Sequence, residues 1–141
     1  MQLRITTPER SVLDTDVSEI IAPGSQGAFG LWAEDSDCVS DLVAGVLRYR
    51  MPCGALRYVG LTAGILVKTG AEVTISTRKA HLGRDPAQVA RRIRSWLQEA
   101  EDLERAAMTW LREEMERQLR MFGHPILETL DMEAMPQMRR A

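Results

Sequence analysis

With 141 residues, 45% of them hydrophobic and 27% charged, the chain carries enough apolar side chains for one real core, which argues against wholesale disorder. The net charge of −2, with nine acidic and nine basic residues up to Arg84 and eleven and nine beyond it, leaves no basic patch that would steer the chain to nucleic acid. No stretch is long and apolar enough to cross a membrane, and Arg4, Glu9 and Arg10 break up the start, so a soluble cytoplasmic protein with no direct membrane insertion is expected.

The first eighty or so residues read as short strands separated by turns. Gln2 to Thr6 alternates with Leu3 and Ile5 on one face, and Thr7-Pro8 ends the run. Further short runs follow at Val12 to Val17, Val17 to Ala22, Ala28 to Trp32, Val43 to Arg50, Ala55 to Thr62, Gly64 to Lys68 and Glu72 to Thr77. Pro23-Gly24 reads as a turn, and Pro52-Cys53-Gly54 and Thr69-Gly70-Ala71 as hairpin connections. Turn signals spaced about 8 to 12 residues apart predict an antiparallel β-sandwich over residues 1–84. Ile65, Val67, Val73 and Ile75 are expected to face inward, and Leu56, Tyr58 and Gly60 to share one face.

The pattern then changes abruptly. Asp85-Pro86 supplies a helix N-cap and a proline at the first helical position, and no Gly or Pro follows from Ala87 to Phe122. Ile93, Trp96, Ala100, Leu103, Ala107 and Trp110 recur at steps of three and four, the seam of a helix packed along its length. The stripe slips by one residue near Met108 to Leu111 and resumes at Met115 and Leu119. The segment 85–122 is therefore either a helix hairpin broken there or one long helix, about 54 Å at 1.5 Å per residue. Gly123-His124-Pro125 reads as a helix stop, and residues 123–141 as a flexible tail. The fold class is α+β.

Between two of the strands, Glu34, Asp35, Asp37 and Asp41 form an acidic interval that reads as a loop. Around it stand Leu3-Arg4-Ile5-Thr6-Thr7-Pro8, then Pro23-Gly24, Gly27, Phe29-Gly30 and Leu31, then Gly45-Val46-Leu47-Arg48, Thr62-Ala63-Gly64-Ile65-Leu66-Val67 and Val73-Thr74-Ile75. This ordered set, over residues 1 to about 121 with the helix, resembles the epsilon subunit of the bacterial rotary ATP synthase. The resemblance implies a non-catalytic rotor subunit at the cytoplasmic face of the inner membrane, joining the gamma subunit to the membrane ring and transmitting torque. It implies no cofactor.

Where that family usually reads Leu-Pro-x-His-x-Pro, this chain has Trp32, Ala33, Asp35 and Asp37 at the aligned positions. The resemblance places this loop near the ring. Trp32, Glu34, Asp35, Asp37 and Asp41 are thus the expected ring-facing residues, in a loop expected to be flexible without its prolines. The departure also implies a divergent member, such as one from an alternative rotary ATPase of the sodium-translocating type.

In the helical segment, Arg91, Arg92, Arg94, Arg105 and Arg112 are candidate charges for meeting the catalytic head and restraining ATP hydrolysis, a role the resemblance implies for this part. Glu101-Asp102-Leu103-Glu104-Arg105-Ala106 partly matches the family's ATP-binding motif, making Asp102 and Arg105 candidate nucleotide ligands. The same two residues at i and i+3 also suit an ordinary ion pair on a helix surface. Cys38, Cys53, His81 and His124 fit no metal-ligand spacing and no nucleophile signature, so no catalytic or metal site is expected. The competing reading is a stand-alone β-sandwich adaptor that dimerises through its helix.

Overall fold

A computed structural model describes residues 1–122; the expected helix stop at Gly123-His124-Pro125 and the tail fall outside them. Ten strands precede one helix: β1 (Gln2–Thr6), β2 (Ser11–Asp16), β3 (Glu19–Gly24), β4 (Gly27–Leu31), β5 (Cys38–Leu42), β6 (Gly45–Arg50), β7 (Leu56–Leu61), β8 (Gly64–Thr69), β9 (Glu72–Thr77), β10 (Ala80–Gly83) and α1 (Pro86–Phe122). The hydrogen-bonded order is β10-β7-β6-β3-β5-β8-β9-β1-β2, with β4 on β3. The β3–β5 pairing holds a single register pair, Gly24 opposite Leu42, so the path bends there and the two halves enclose one core.

All pairings are antiparallel except β1 with β9, which run parallel and set Leu3 opposite Val73 and Ile5 opposite Ile75. These four side chains are at most 1% exposed. The expected sandwich is therefore present with one parallel ladder. A parallel pair needs a long connection, and β2 to β8 supply it.

Several expected elements shift. β3 runs through Pro23 and Gly24, and the turn is Ser25-Gln26. Gly24 serves close approach and not the turn, because a Cβ there would lie 2.8 Å from Cδ1 of Phe29. β5 and β10 were not expected as strands. β5 was hidden in the acidic interval because its exposed positions are one apolar and one acidic residue, Val39 and Asp41, while Leu42 alone is fully buried. The phase of β8 is opposite to the expected one: Ile65 and Val67 are 49% and 38% exposed, and Leu66 and Lys68 are 0% and 2% exposed.

The start of α1 follows the expected grammar. Ala87 N donates to Oδ1 of Asp85 at 3.0 Å and Val89 N to its carbonyl at 3.2 Å, with Pro86 at the first helical position. The helix is continuous to Phe122, which decides between the hairpin and the single helix. A one-residue drift of an apolar stripe does not break a helix that contains no Gly, Pro or inserted side chain.

The chain forms two units, Met1–Leu97 and a second beginning at Gln98. In the first, Val89 and Ile93 are 1% and 5% exposed, and they sit where two glycines leave room. A Cβ on Gly60 would lie 2.9 Å from Cγ1 of Val89 and 3.0 Å from Cγ1 of Ile93, and one on Gly83 would lie 2.5 Å from Cγ2 of Val89. Trp96 meets His81 edge to face at 6.5 Å, with Nζ of Lys79 at 5.7 Å from the Trp96 ring. In the second unit, the seam residues Leu103 and Trp110 are 72% and 63% exposed, contrary to the expected packing along the whole helix.

Candidate functional site

Strand direction decides which loops share an end of the sandwich. Cys38 opposes Lys68, so the loop between β4 and β5 lies beside the β8–β9 turn at Gly70. Gln2 N donates to Ala71 O at 2.7 Å, Val17 N to Met1 O at 2.8 Å and Ser18 N to Arg50 O at 2.8 Å. These bonds bring the Asp16–Ser18 connection and the β6–β7 hairpin to the same end.

Residues 32–37 are all exposed, yet the loop is tied down. Trp32 N donates to Oδ2 of Asp35 at 2.8 Å, and Asp35 N donates to Trp32 O at 3.1 Å, closing a tight turn. Gly70 N donates to Oδ1 of Asp37 at 2.7 Å. From below, Nζ of Lys68 donates to the carbonyl oxygens of Ala33 at 3.2 Å, Asp35 at 2.6 Å and Gly70 at 2.6 Å. An ammonium has three donors, and here all three are used. That is how a cation 2% exposed on an apolar strand is tolerated. Gly70 takes φ of 60°, the left-handed turn conformation, and so aims both its N–H and its carbonyl at this cluster.

The loop, expected to be flexible without its prolines, carries bonds from Lys68 and Gly70 where those prolines are missing. Asp41, expected with this loop, lies apart from it. It lies on β5 opposite Ile65, and its carbonyl accepts from Ser25 N at 3.4 Å, at the other end of the strand. Asp41 lies four residue steps along the chain from Asp37, roughly 13 Å. The structure thus gathers Trp32, Glu34, Asp35 and Asp37 and leaves Asp41 out. Asp35 and Asp37 hold the loop together, while Glu34 has no partner among the described residues. Trp32 is 42% exposed and seated over Gly30, where a Cβ would lie 2.6 Å from Cη2 of the indole.

Lys68 was missed by sequence reasoning. The available signal was its rarity, since only Lys68 and Lys79 are lysines among 18 cationic residues, and its place in the apolar run Ile65-Leu66-Val67.

On α1, Arg91, Arg92 and Arg94 are exposed in the first unit, and Arg105 and Arg112 are exposed in the second. Arg105 Nη1 lies 3.7 Å from Oδ1 of Asp102, which also accepts from Nε2 of Gln98 at 3.1 Å. The two candidate nucleotide ligands are thus paired to each other on the helix surface. Among the described residues no group of three or more His, Cys, Asp or Glu could hold a metal ion, and no helix is long and apolar enough to cross a membrane.

What this arrangement defines is a β-sandwich subunit with a shaped acidic end and a helix rooted on one face. Residues 1–83 match the family described as ATP synthase, Delta/Epsilon chain, beta-sandwich domain. The chain is similar to ATP synthase epsilon chain 2 of Cereibacter sphaeroides, 33% identical over 109 residues, covering 76% of this chain and 75% of that one. It is also similar to the ATP synthase epsilon chain of Carboxydothermus hydrogenoformans, 30% identical over 85 residues, covering 60% of this chain and 63% of that one. A chain in the cryo-EM structure of the Euglena gracilis mitochondrial ATP synthase, OSCP/F1/c-ring in rotational state 1, shares the fold. Its TM-score is 0.54 at 22% identity, covering 57% of this chain and 51% of that one. The protein belongs to the ATP synthase delta/epsilon chain family, and it is a non-catalytic, central-stalk subunit of that enzyme.

Proposed function

We propose that the sandwich joins the gamma subunit to the membrane rotor ring, carries torque between them from the cytoplasmic face of the bacterial inner membrane, and meets the ring with the loop of residues 32–37. The observation that carries this reading is the division of labour within the loop. Two of its carboxylates are consumed in holding its shape, which leaves Glu34 and the half-exposed ring of Trp32 directed to a partner. A flat indole beside a single free carboxylate suits a partner surface with an apolar patch next to a Lys or Arg. Asp16 and Glu72 lie at the same end and extend the negative field, so the partner surface is basic.

Such a contact marks a divergent member matched to its own ring, as in an alternative rotary ATPase of the sodium-translocating type. The exposed arginines Arg91, Arg92, Arg94, Arg105 and Arg112 restrain ATP hydrolysis by meeting acidic surfaces of the catalytic head. Asp102 and Arg105 act as a surface ion pair in this reading and not as nucleotide ligands.

The test is binding of the purified rotor ring, in detergent, to the full chain in complex with gamma. Glu34→Lys reverses the free charge and is expected to weaken ring binding by about tenfold, equal to about 1.4 kcal/mol, while gamma binding stays unchanged. The loss should shrink as salt is raised, because an exposed charge contact is screened. Unchanged ring affinity in a Trp32→Ala, Glu34→Lys double variant would remove this loop from the contact.

A further inference from the structure

We propose that Lys68 is the positioning residue of the ring-facing loop, and that its ammonium fixes the one shape in which Trp32 and Glu34 are offered to the ring. The proposal rests on the reading of residues 32–37 as the ring contact.

Three observations carry it. The loop has no buried side chain of its own between Trp32 and Asp37, so nothing apolar anchors it. Its anchor is instead a side chain from another strand, 2% exposed, whose three donors go to Ala33 O, Asp35 O and Gly70 O. Two of those carbonyls flank residue 34. When the backbone on both sides of Glu34 is held from the inside, its side chain is left to solvent, which is where a partner would meet it. The third carbonyl couples the loop to the β8–β9 turn, whose Gly70 N–H in turn holds Asp37.

The residue type is the remaining argument. The positions beside Lys68 on the inner face of its strand and the next are Leu66, Val73 and Ile75, all at most 1% exposed. An apolar residue at 68 would complete that face without bringing a charge out of water, and replacing buried charge by apolar side chains of similar volume is often neutral or stabilising. A buried ammonium there serves the loop and not the core.

The experiment compares the full chain with Lys68→Met and Lys68→Leu, both of which keep an apolar stem and remove the donors. Amide hydrogen exchange is measured along the chain, and affinity is measured separately for gamma and for the purified ring in detergent. The expected result is faster exchange confined to residues 33–37 and Gly70, unchanged protection at Leu66, Val73 and Ile75, unchanged gamma binding, and a loss of about tenfold or more in ring affinity. Unchanged exchange in the loop, or ring affinity equal to that of the unsubstituted chain, overturns the proposal. So does failure of both variants to fold, which would make the side chain part of the core. A Trp32→Ala, Glu34→Gln variant run in parallel separates the two levels. If it loses the ring while the Lys68 variants keep it, the positioning role alone fails; if it binds the ring normally, the contact reading fails and takes the positioning role with it.

Discussion

Tyr49 shows how a single side chain links the core to pH. It is 6% exposed on β6, and burial raises its phenol above the usual value of 10.0, with the nearby Arg57 guanidinium pulling the other way. A phenol whose folded value is raised keeps its proton longer in the native state than in the unfolded chain. Its contribution to stability is therefore complete below the unfolded value and is lost as pH rises from there through the higher folded value. Urea denaturation at pH 8 and at pH 11 should show lower stability at the higher pH, and Tyr49→Phe should reduce that drop. An identical drop in the substituted protein would assign the loss to other groups. At this scale the sequence is a partial guide. An apolar residue in an alternating strand says inside, and Leu3, Ile5, Val73 and Ile75 obey. In β8 both alternating sets are apolar until Lys68, and the lysine argues for the wrong face. Two of the three carbonyls that make its burial tolerable come from residues 33 and 35, more than thirty positions away in sequence, and their convergence has no local signature.

Among elements, the first turns of α1 are the clearest case of a local pattern meeting a distant one. Val89 and Ile93 recur at a helical step, but the space they fill is made by Gly60 on β7 and Gly83 on β10. The cap at Asp85 was legible because it depends on neighbours in sequence. The docking site was not, because glycines in strands announce close approach without saying what approaches. β5 escaped for a related reason: with Asp41 and Val39 outward and only Leu42 fully inward, its alternation is too short to stand out from a polar loop. The buried and exposed parts of α1 should respond differently to truncation of a side chain. Ile93→Ala is expected to cost about 3 kcal/mol, since it opens a cavity against β7. Leu103→Ala, at a position 72% exposed, should change stability by less than about 0.5 kcal/mol. Urea midpoints of the two variants at fixed slope provide the comparison. Equal losses would mean that the second stretch of helix is covered as well as the first.

For the whole molecule, the family was readable from an ordered set of short motifs because they mark turns, close approaches and core-facing strand positions that the sandwich requires. The division of the chain was less readable. A change of composition at Arg84 suggests cutting between sandwich and helix there, whereas the packing places residues up to Leu97 with the sandwich. This difference matters for any experiment that removes the helix. A chain ending at Arg84 loses Val89 and Ile93 and bares the glycine-lined face of β7 and β10. Each of those apolar side chains contributes about 1.5 to 3 kcal/mol by burial, a large share of a small domain's stability of about 5 to 15 kcal/mol. A chain ending at Leu97 keeps both, together with the contact of Trp96 with His81. The longer truncate is therefore expected to melt at nearly the temperature of the full chain and the shorter one well below it. The longer one is also the proper test of restraint on hydrolysis, because it removes Arg105 and Arg112 and retains Arg91, Arg92 and Arg94. Reconstituted with gamma, the ring and the catalytic head, it should assemble normally and hydrolyse ATP faster than the complex with the full chain. If the rate is unchanged while the Arg91→Ala, Arg92→Ala, Arg94→Ala variant of the full chain is faster, the restraint lies in the first turns of the helix. If both rates are unchanged, these arginines do not restrain the enzyme at all.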